Sequence, residues 1–186
     1  TMNRNDNKQG AKNITTGGLG NETQELGDGD SKLLTEIISD QQASGIYNEQ
    51  LPLQMGGTGS TNWYTMYNNR GKPIERLTFT QAGTLVDGRD ELEPLYRYPV
   101  NEQSGCVTEE FTTTIREIVK MTERVIQQKL NHIVGNMCVD GKDNIPPHHD
   151  KMLDIKKGSK IVSISFGAER EMTLTQDNTD QNIQVG

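Results

Sequence analysis

Aromatic residues are scarce in this chain: one Trp, five Tyr and three Phe among 186 residues. Apolar side chains make up only 31%, and the mean hydropathy is -0.74. Ordering a residue costs about 1–2 kcal/mol that burial must offset, so a chain this polar does not pack along its whole length. Cysteine is limited to Cys106 and Cys138, outside any C-x-x-C spacing, which excludes a disulfide framework and a zinc ribbon. Reduced thiols in a nuclear or cytoplasmic protein are the expectation, hence an intracellular location. No apolar segment opens the chain as a secretory leader, and no run of about 18 apolar residues predicts a membrane span. The sequons at Asn13 and Asn21 are then read as chance. A net charge of -7 excludes a general nucleic-acid coat, whose affinity scales with the Lys and Arg that neutralise phosphate. Lys156, Lys157 and Lys160 leave room for a local basic groove.

Composition divides the chain near residue 60. Residues 1–60 read as a low-complexity, mostly disordered tail and linker, and residues 61–186 as the ordered part of the chain. Within the first segment, Ser31 to about Ser39 predicts a short amphipathic helix with Leu34, Ile37 and Ile38 on one stripe. Met55 to Ser60 is Gly-rich but has no P-loop Lys, so it is read as a hinge. Leu77, Phe79 and Thr80 predict a strand. The spacing of Phe111, Ile115, Ile118, Thr122 and Val125 predicts one helix, capped near Thr108 and ending near Lys129 or Leu130. Three short β-branched runs follow: Ile133–Val139, Lys160–Phe166 and Glu171–Gln176. A helix followed by short strands indicates an α+β domain, the helix supporting a sheet sandwich or jelly roll.

Histidine is as scarce as aromatics: His132, His148 and His149 are all there are. His148-x-Asp150 puts an imidazole and a carboxylate two positions apart, on one face if the backbone is extended. Those are two of the three ligands of a 2-His-1-carboxylate triad that binds Fe(II). The bland alternative is a solvated loop or a capping pair. His132 is read as a cation near a helix C-terminus, and His149 as lying at the edge of the site. Ser163 and Ser165 line one face of the Lys160–Phe166 run and leave room for a ligand; an ordinary half-exposed strand is the alternative. Glu169-Arg170-Glu171 fits a surface charge cluster.

The spaced series Asn136-x-x-x-Asp140-Gly141-x-Asp143-x-Ile145-x-x-His148-x-Asp150, then Gly158-Ser159-x-Ile161-x-Ser163-x-Ser165-Phe166-Gly167-Ala168-x-Arg170, closely resembles the AlkB-like Fe(II)- and 2-oxoglutarate-dependent dioxygenases. Trp63-x-x-Met66-x-x-x-x-Gly71-x-Pro73-x-x-Arg76-Leu77 and Pro94-Leu95-Tyr96-Arg97-Tyr98-Pro99 resemble fungal and other lower-eukaryote members. The similarity runs from about Trp63 to Leu174. It implies a partial double-stranded β-helix with a supporting helix. It implies Fe(II), 2-oxoglutarate and O2 as cofactors, with His148 and Asp150 on the metal and Asn136 on 2-oxoglutarate. Cys138 stands where the family carries a second, phenolic co-substrate contact. Arg76 and Tyr96 become candidate contacts to substrate, with packing or surface polarity as the alternative for both. The implied reaction is oxidative demethylation of N-alkylated bases in DNA or RNA, as in DNA repair, with the target base flipped out of a duplex.

Relative to the family pattern, the chain stops before a distal His and the Arg residues that grip the 2-oxoglutarate carboxylate. It therefore reads as a truncated excerpt. Two other functions stay open: an inactive truncated domain serving as an interaction or structural module, and a dioxygenase acting on protein or lipid.

A thiol is a weaker donor and much shorter than a phenol. Cys138→Tyr is therefore expected to bind 2-oxoglutarate more tightly than the chain as it stands; calorimetric titrations giving equal affinities would remove Cys138 from the co-substrate site.

Overall fold

The structure is a computed structural model that describes residues 22–35, 37–68, 70–83, 108–150, 155–176 and 179–185. It is mixed α+β, with three separate sheets and two α-helices among those residues. The described residues fall into two compact units, one drawn from residues 22–47 and 163–185 and the other from residues 48–162. None of the described helices is long and apolar enough to cross a membrane.

The first of these units contains two hairpins. Strands β1 (Glu22–Leu26) and β2 (Ser31–Thr35) pair antiparallel around a turn in which Gly27 and Gly29 take positive φ. This corrects two expectations. Residues 22–30 are not all tail, because Leu26 is buried, and Ser31–Thr35 is a strand rather than the start of a helix. The run SKLLT satisfies both periods, and pairing with β1 decides between them. The helix starts later, as α1 (Asp40–Gln50). Its cap is a reciprocal box: Ser39 Oγ accepts from Gln42 N, and Gln42 Oε1 accepts from Ser39 N.

At the other end, β7 (Arg170–Gln176) and β8 (Thr179–Val185) pair antiparallel, with Ile183 buried opposite Met172. The strand expected at Glu171–Gln176 is thus present. The Gly27 N–H donates to Gln181 Oε1 at 3.0 Å and ties the first hairpin to the second.

The central unit is built on β4 (Pro73–Ala82), which has partner strands on both sides. On one side β6 (His132–Met137) runs antiparallel from Leu77↔Met137 to Ala82↔His132. On the other side β3 (Tyr64–Tyr67) pairs antiparallel with its first half, and β5 (Thr108–Glu110) pairs parallel with its last three residues. Thr108 is therefore in a strand and does not cap the helix. The cap is Thr112, whose Oγ1 accepts from Ile115 N at 3.3 Å, and α2 spans Thr113–Ile126. The apolar face expected from the spacing is buried as a set: Phe111, Ile115, Ile118, Thr122 and Val125, joined by Val119. Gln81 fixes the start of this helix to the sheet by accepting from Thr112 N at 3.1 Å.

Helix α2 ends earlier than its apolar pattern suggests, at Gln127 with φ 54°. Lys160 closes the end: its Nζ donates to Ile126 O, while its backbone N–H and C=O bond reciprocally with the Gln128 amide at 2.8 and 3.2 Å. Lys160 is thus a helix-terminal cation, which removes it from a basic groove with Lys156 and Lys157. The run Lys160–Phe166, expected as a strand, has no regular secondary structure. Its side chains at Ile161, Val162, Ser163 and Ser165 are exposed.

Phe79, the aromatic residue of β4, makes two close contacts. Trp63 meets Phe79 edge-on, with ring centroids 4.8 Å apart and planes at 87°. Such a pair contributes about 0.5–1.5 kcal/mol beyond area burial. Phe79 also lies directly over Gly135, its register partner, where an added Cβ would come within 2.0 Å of the ring. Strand pairing fixes both backbone positions, so an added Cβ could be accommodated only by a shift of the ring or of the pairing.

Gly135→Ala is accordingly expected to destabilise the chain by about 1–3 kcal/mol. Urea unfolding would register this as a lower midpoint at unchanged slope; an unaltered midpoint would show that Phe79 can move aside.

Candidate metal and co-substrate centre

The stretch after β6 is a loop organised by its own carboxylates. Asp140 Oδ1 accepts from the backbone N–H of Lys142 and Asp143, and Asp143 Oδ2 accepts from Val139 N at 2.6 Å. Such side-chain turns replace ladder bonds where the strand stops. Pro146-Pro147 then fixes the approach to His148 by restricting φ.

His148 and Asp150 are brought together. His148 Nε2 lies 3.5 Å from Asp150 Oδ1, and both side chains are more than half exposed. The other imidazole nitrogen, Nδ1, is 2.9 Å from the carbonyl oxygen of Pro146. A carbonyl can only accept, so Nδ1 donates its proton to Pro146, and Nε2 is the ring atom that faces Asp150. Metal-bound imidazoles are commonly fixed through the opposite nitrogen in this way. Two bonds of about 2.1 Å each can span this 3.5 Å gap, so one nitrogen and one carboxylate oxygen suit a single divalent ion. Sequence reading placed the pair but missed the Pro146 carbonyl; Pro-Pro directly before His was its only trace.

Among the described residues no three His, Cys, Asp or Glu side chains gather as a metal-binding group. His132, the remaining upstream histidine, is the first residue of β6, half-buried and paired with Ala82. It is therefore a strand residue rather than a helix-terminal one. His149 is exposed next to the pair.

A second cluster comes from the β4–β6 register. Thr78 lies opposite Asn136, and Arg76 is two residues along on the same face. Arg76 Nε donates to Asn136 Oδ1 at 2.8 Å, and Thr78 Oγ1 approaches the same oxygen at 3.4 Å. Arg76 and Asn136 are 60 positions apart in sequence. They had been read as contacts to two different ligands, and the structure joins them. Thr78 was not singled out by sequence at all; only the pairing register reveals it. Thr80, two further on, approaches the Tyr64 hydroxyl at 3.4 Å, and both Thr78 and Thr80 are 1% exposed. Cys138 follows β6, half-buried and with a free thiol. Tyr96 lies outside the described residues.

The chain matches a family model described as the 2OG-Fe(II) oxygenase superfamily over residues 31–185. No curated protein matches it.

Exposure makes the pair separable from the fold. His148→Ala and Asp150→Ala are each expected to weaken Mn(II) or Co(II) binding by at least about tenfold, with unfolding free energy changed by no more than about 0.5 kcal/mol. Calorimetry with either ion measures the first and denaturant unfolding the second; undiminished metal affinity in both variants would disqualify the pair as ligands.

Proposed function

Because the chain belongs to the 2OG-Fe(II) oxygenase superfamily, whose members use Fe(II), 2-oxoglutarate and O2, we propose that it is an AlkB-like dioxygenase acting on N-alkylated bases of DNA or RNA. The single observation that carries the oxidative reading is the His148–Asp150 pair, 3.5 Å apart with the imidazole anchored through Nδ1. The nucleobase reading rests on the ordered motif series from Asn136 through His148-x-Asp150 to Arg170. A double-stranded β-helix is the architecture this reading implies.

In this scheme His148 Nε2 and Asp150 Oδ1 would hold the iron. Asn136, whose Oδ1 is occupied by Arg76, offers its Nδ2–H groups to a 2-oxoglutarate carboxylate. Once loaded, the centre would supply an oxidation by O2 in which 2-oxoglutarate gives succinate and CO2, the N-methyl carbon takes the second oxygen as a hydroxyl, and its C–N bond then breaks to release formaldehyde and the N–H base. The chain's part is to bind and orient. Pro146 holds the imidazole so that its lone pair, not its proton, faces the metal. Asp150 contributes the negative charge that favours a divalent ion. The exposed position of both ligands leaves space for a base swung out of its stack.

A catalytically silent domain that serves as an interaction module is the second reading. Cys138, at a position where a phenol would donate a stronger hydrogen bond, favours it.

Incubation with Fe(II), ascorbate, 2-oxoglutarate and oligonucleotides bearing methylated adenine or cytosine tests both. The proposal expects succinate and formaldehyde in equal amounts, both lost in His148→Ala. Succinate formed at the same rate with and without methylated bases would redirect the activity to another substrate; none under any condition would favour the silent domain.

A further inference from the structure

We propose that Arg76 is a positioning residue that acts on the co-substrate through Asn136, rather than a contact to the nucleic acid. The inference rests on the reading of Asn136 as a 2-oxoglutarate contact. Amide oxygen and nitrogen are set by their hydrogen-bond partners, and here the partners leave no choice. Arg76 Nε can only donate, so the Asn136 atom 2.8 Å away must be the oxygen. Turning the amide over would set its NH2 against a guanidinium N–H. Thr78 Oγ1 approaches the same oxygen from the buried floor of the sheet. With Oδ1 taken by Arg76 and approached by Thr78 Oγ1 at 3.4 Å, Asn136 is held as a donor, its Nδ2–H groups turned away from Arg76.

Three consequences give this lock a functional direction. A donor-only amide selects a carboxylate and refuses a group that needs an acceptor. The charged partner on Oδ1 polarises the amide, so its N–H groups donate more strongly than those of an isolated Asn. A fixed side chain also binds without first losing rotamer freedom. Backbone pairing maintains the geometry: Thr78 and Asn136 are register partners, and Arg76 sits on the next same-face position of β4. No loop movement is needed to assemble it.

The test is calorimetric titration of the full chain with 2-oxoglutarate in the presence of Mn(II), in the unsubstituted protein, Arg76→Met, Arg76→Lys, Asn136→Ala and the Arg76→Met/Asn136→Ala double variant. Arg76→Met is expected to weaken binding about tenfold. Asn136→Ala should do the same, and the double variant should be no weaker than Asn136→Ala, because the arginine acts only through the amide. Arg76→Lys keeps the charge but not the planar N–H, so it should lie between. In ¹⁵N spectra the Asn136 Nδ2 pair should shift in Arg76→Met and Arg76→Lys while backbone signals away from β4 and β6 stay in place. If Arg76→Met does not fold, Arg76→Lys decides on both measurements. Unchanged affinity, or losses that add in the double variant, would overturn the inference; additivity would make Arg76 a direct ligand contact. No binding to the unsubstituted chain would instead remove the co-substrate reading of Asn136, and this inference with it.

Discussion

The six-residue antiparallel pairing of β4 with β6 holds the central unit and its chemistry in the same set of hydrogen bonds. Side chains alternate across a strand, so one register assigns every residue to a face at once. On one face it sets Phe79 over Gly135, where the missing Cβ makes room for the ring. On the other it sets Thr78 opposite Asn136 and brings Arg76 into hydrogen-bond range. A slip of one residue would put the ring against a side chain and swing Asn136 to the wrong face. Core packing and amide orientation are therefore not independent properties here.

Two of the few aromatics are paired at the central strand. Trp63 and Phe79 are spent together, edge to face, beside the central strand, and the Trp63 indole N–H is satisfied by the Gln50 carbonyl at 2.7 Å. The opposite face of β4 carries threonine instead of Val or Ile at its most buried positions. Threonine keeps the branched shape that suits a strand and adds a hydroxyl, and at Thr78 that hydroxyl reaches a candidate ligand-binding side chain. A purely apolar residue would fill the space and leave Asn136 Oδ1 with one partner fewer.

What could be read in advance follows the range of the interaction. The buried stripe of α2 obeys its local period and was visible from residue spacing. His148 and Asp150 were visible because two residues of separation suffice to bring them together. The start of α2 was not: Thr108-Glu109-Glu110 carries a plausible capping signature, and only its pairing with Thr80–Ala82 makes it a strand. Ser31–Thr35 misled for the same reason, since its partner lies across a turn. The true cap signature of α1, Ser39 with Gln42, was present in the sequence but hidden behind the helix assigned to the preceding residues. The Lys160–Phe166 run shows the converse, because period-2 character supplies a strand's side chains but not the neighbour that makes it one. The Arg76–Asn136 link spans 60 residues and depends on register, which composition and spacing do not encode.

The Lys160–Gln128 clasp has a consequence for how such a protein can diversify. The stretch carrying His148 and Asp150 leaves β6 at Met137 and is fastened again at Lys160, against the end of α2. Both moorings belong to elements stabilised elsewhere. Doubling the length of a loop adds only about 0.6 kcal/mol of closure entropy. Insertions between the two anchor points that spare the Asp140 and Asp143 turns and the Pro146–His148 contact can therefore change what surrounds the pair with almost no effect on β6 or α2, which makes this stretch the natural place for new specificities to arise.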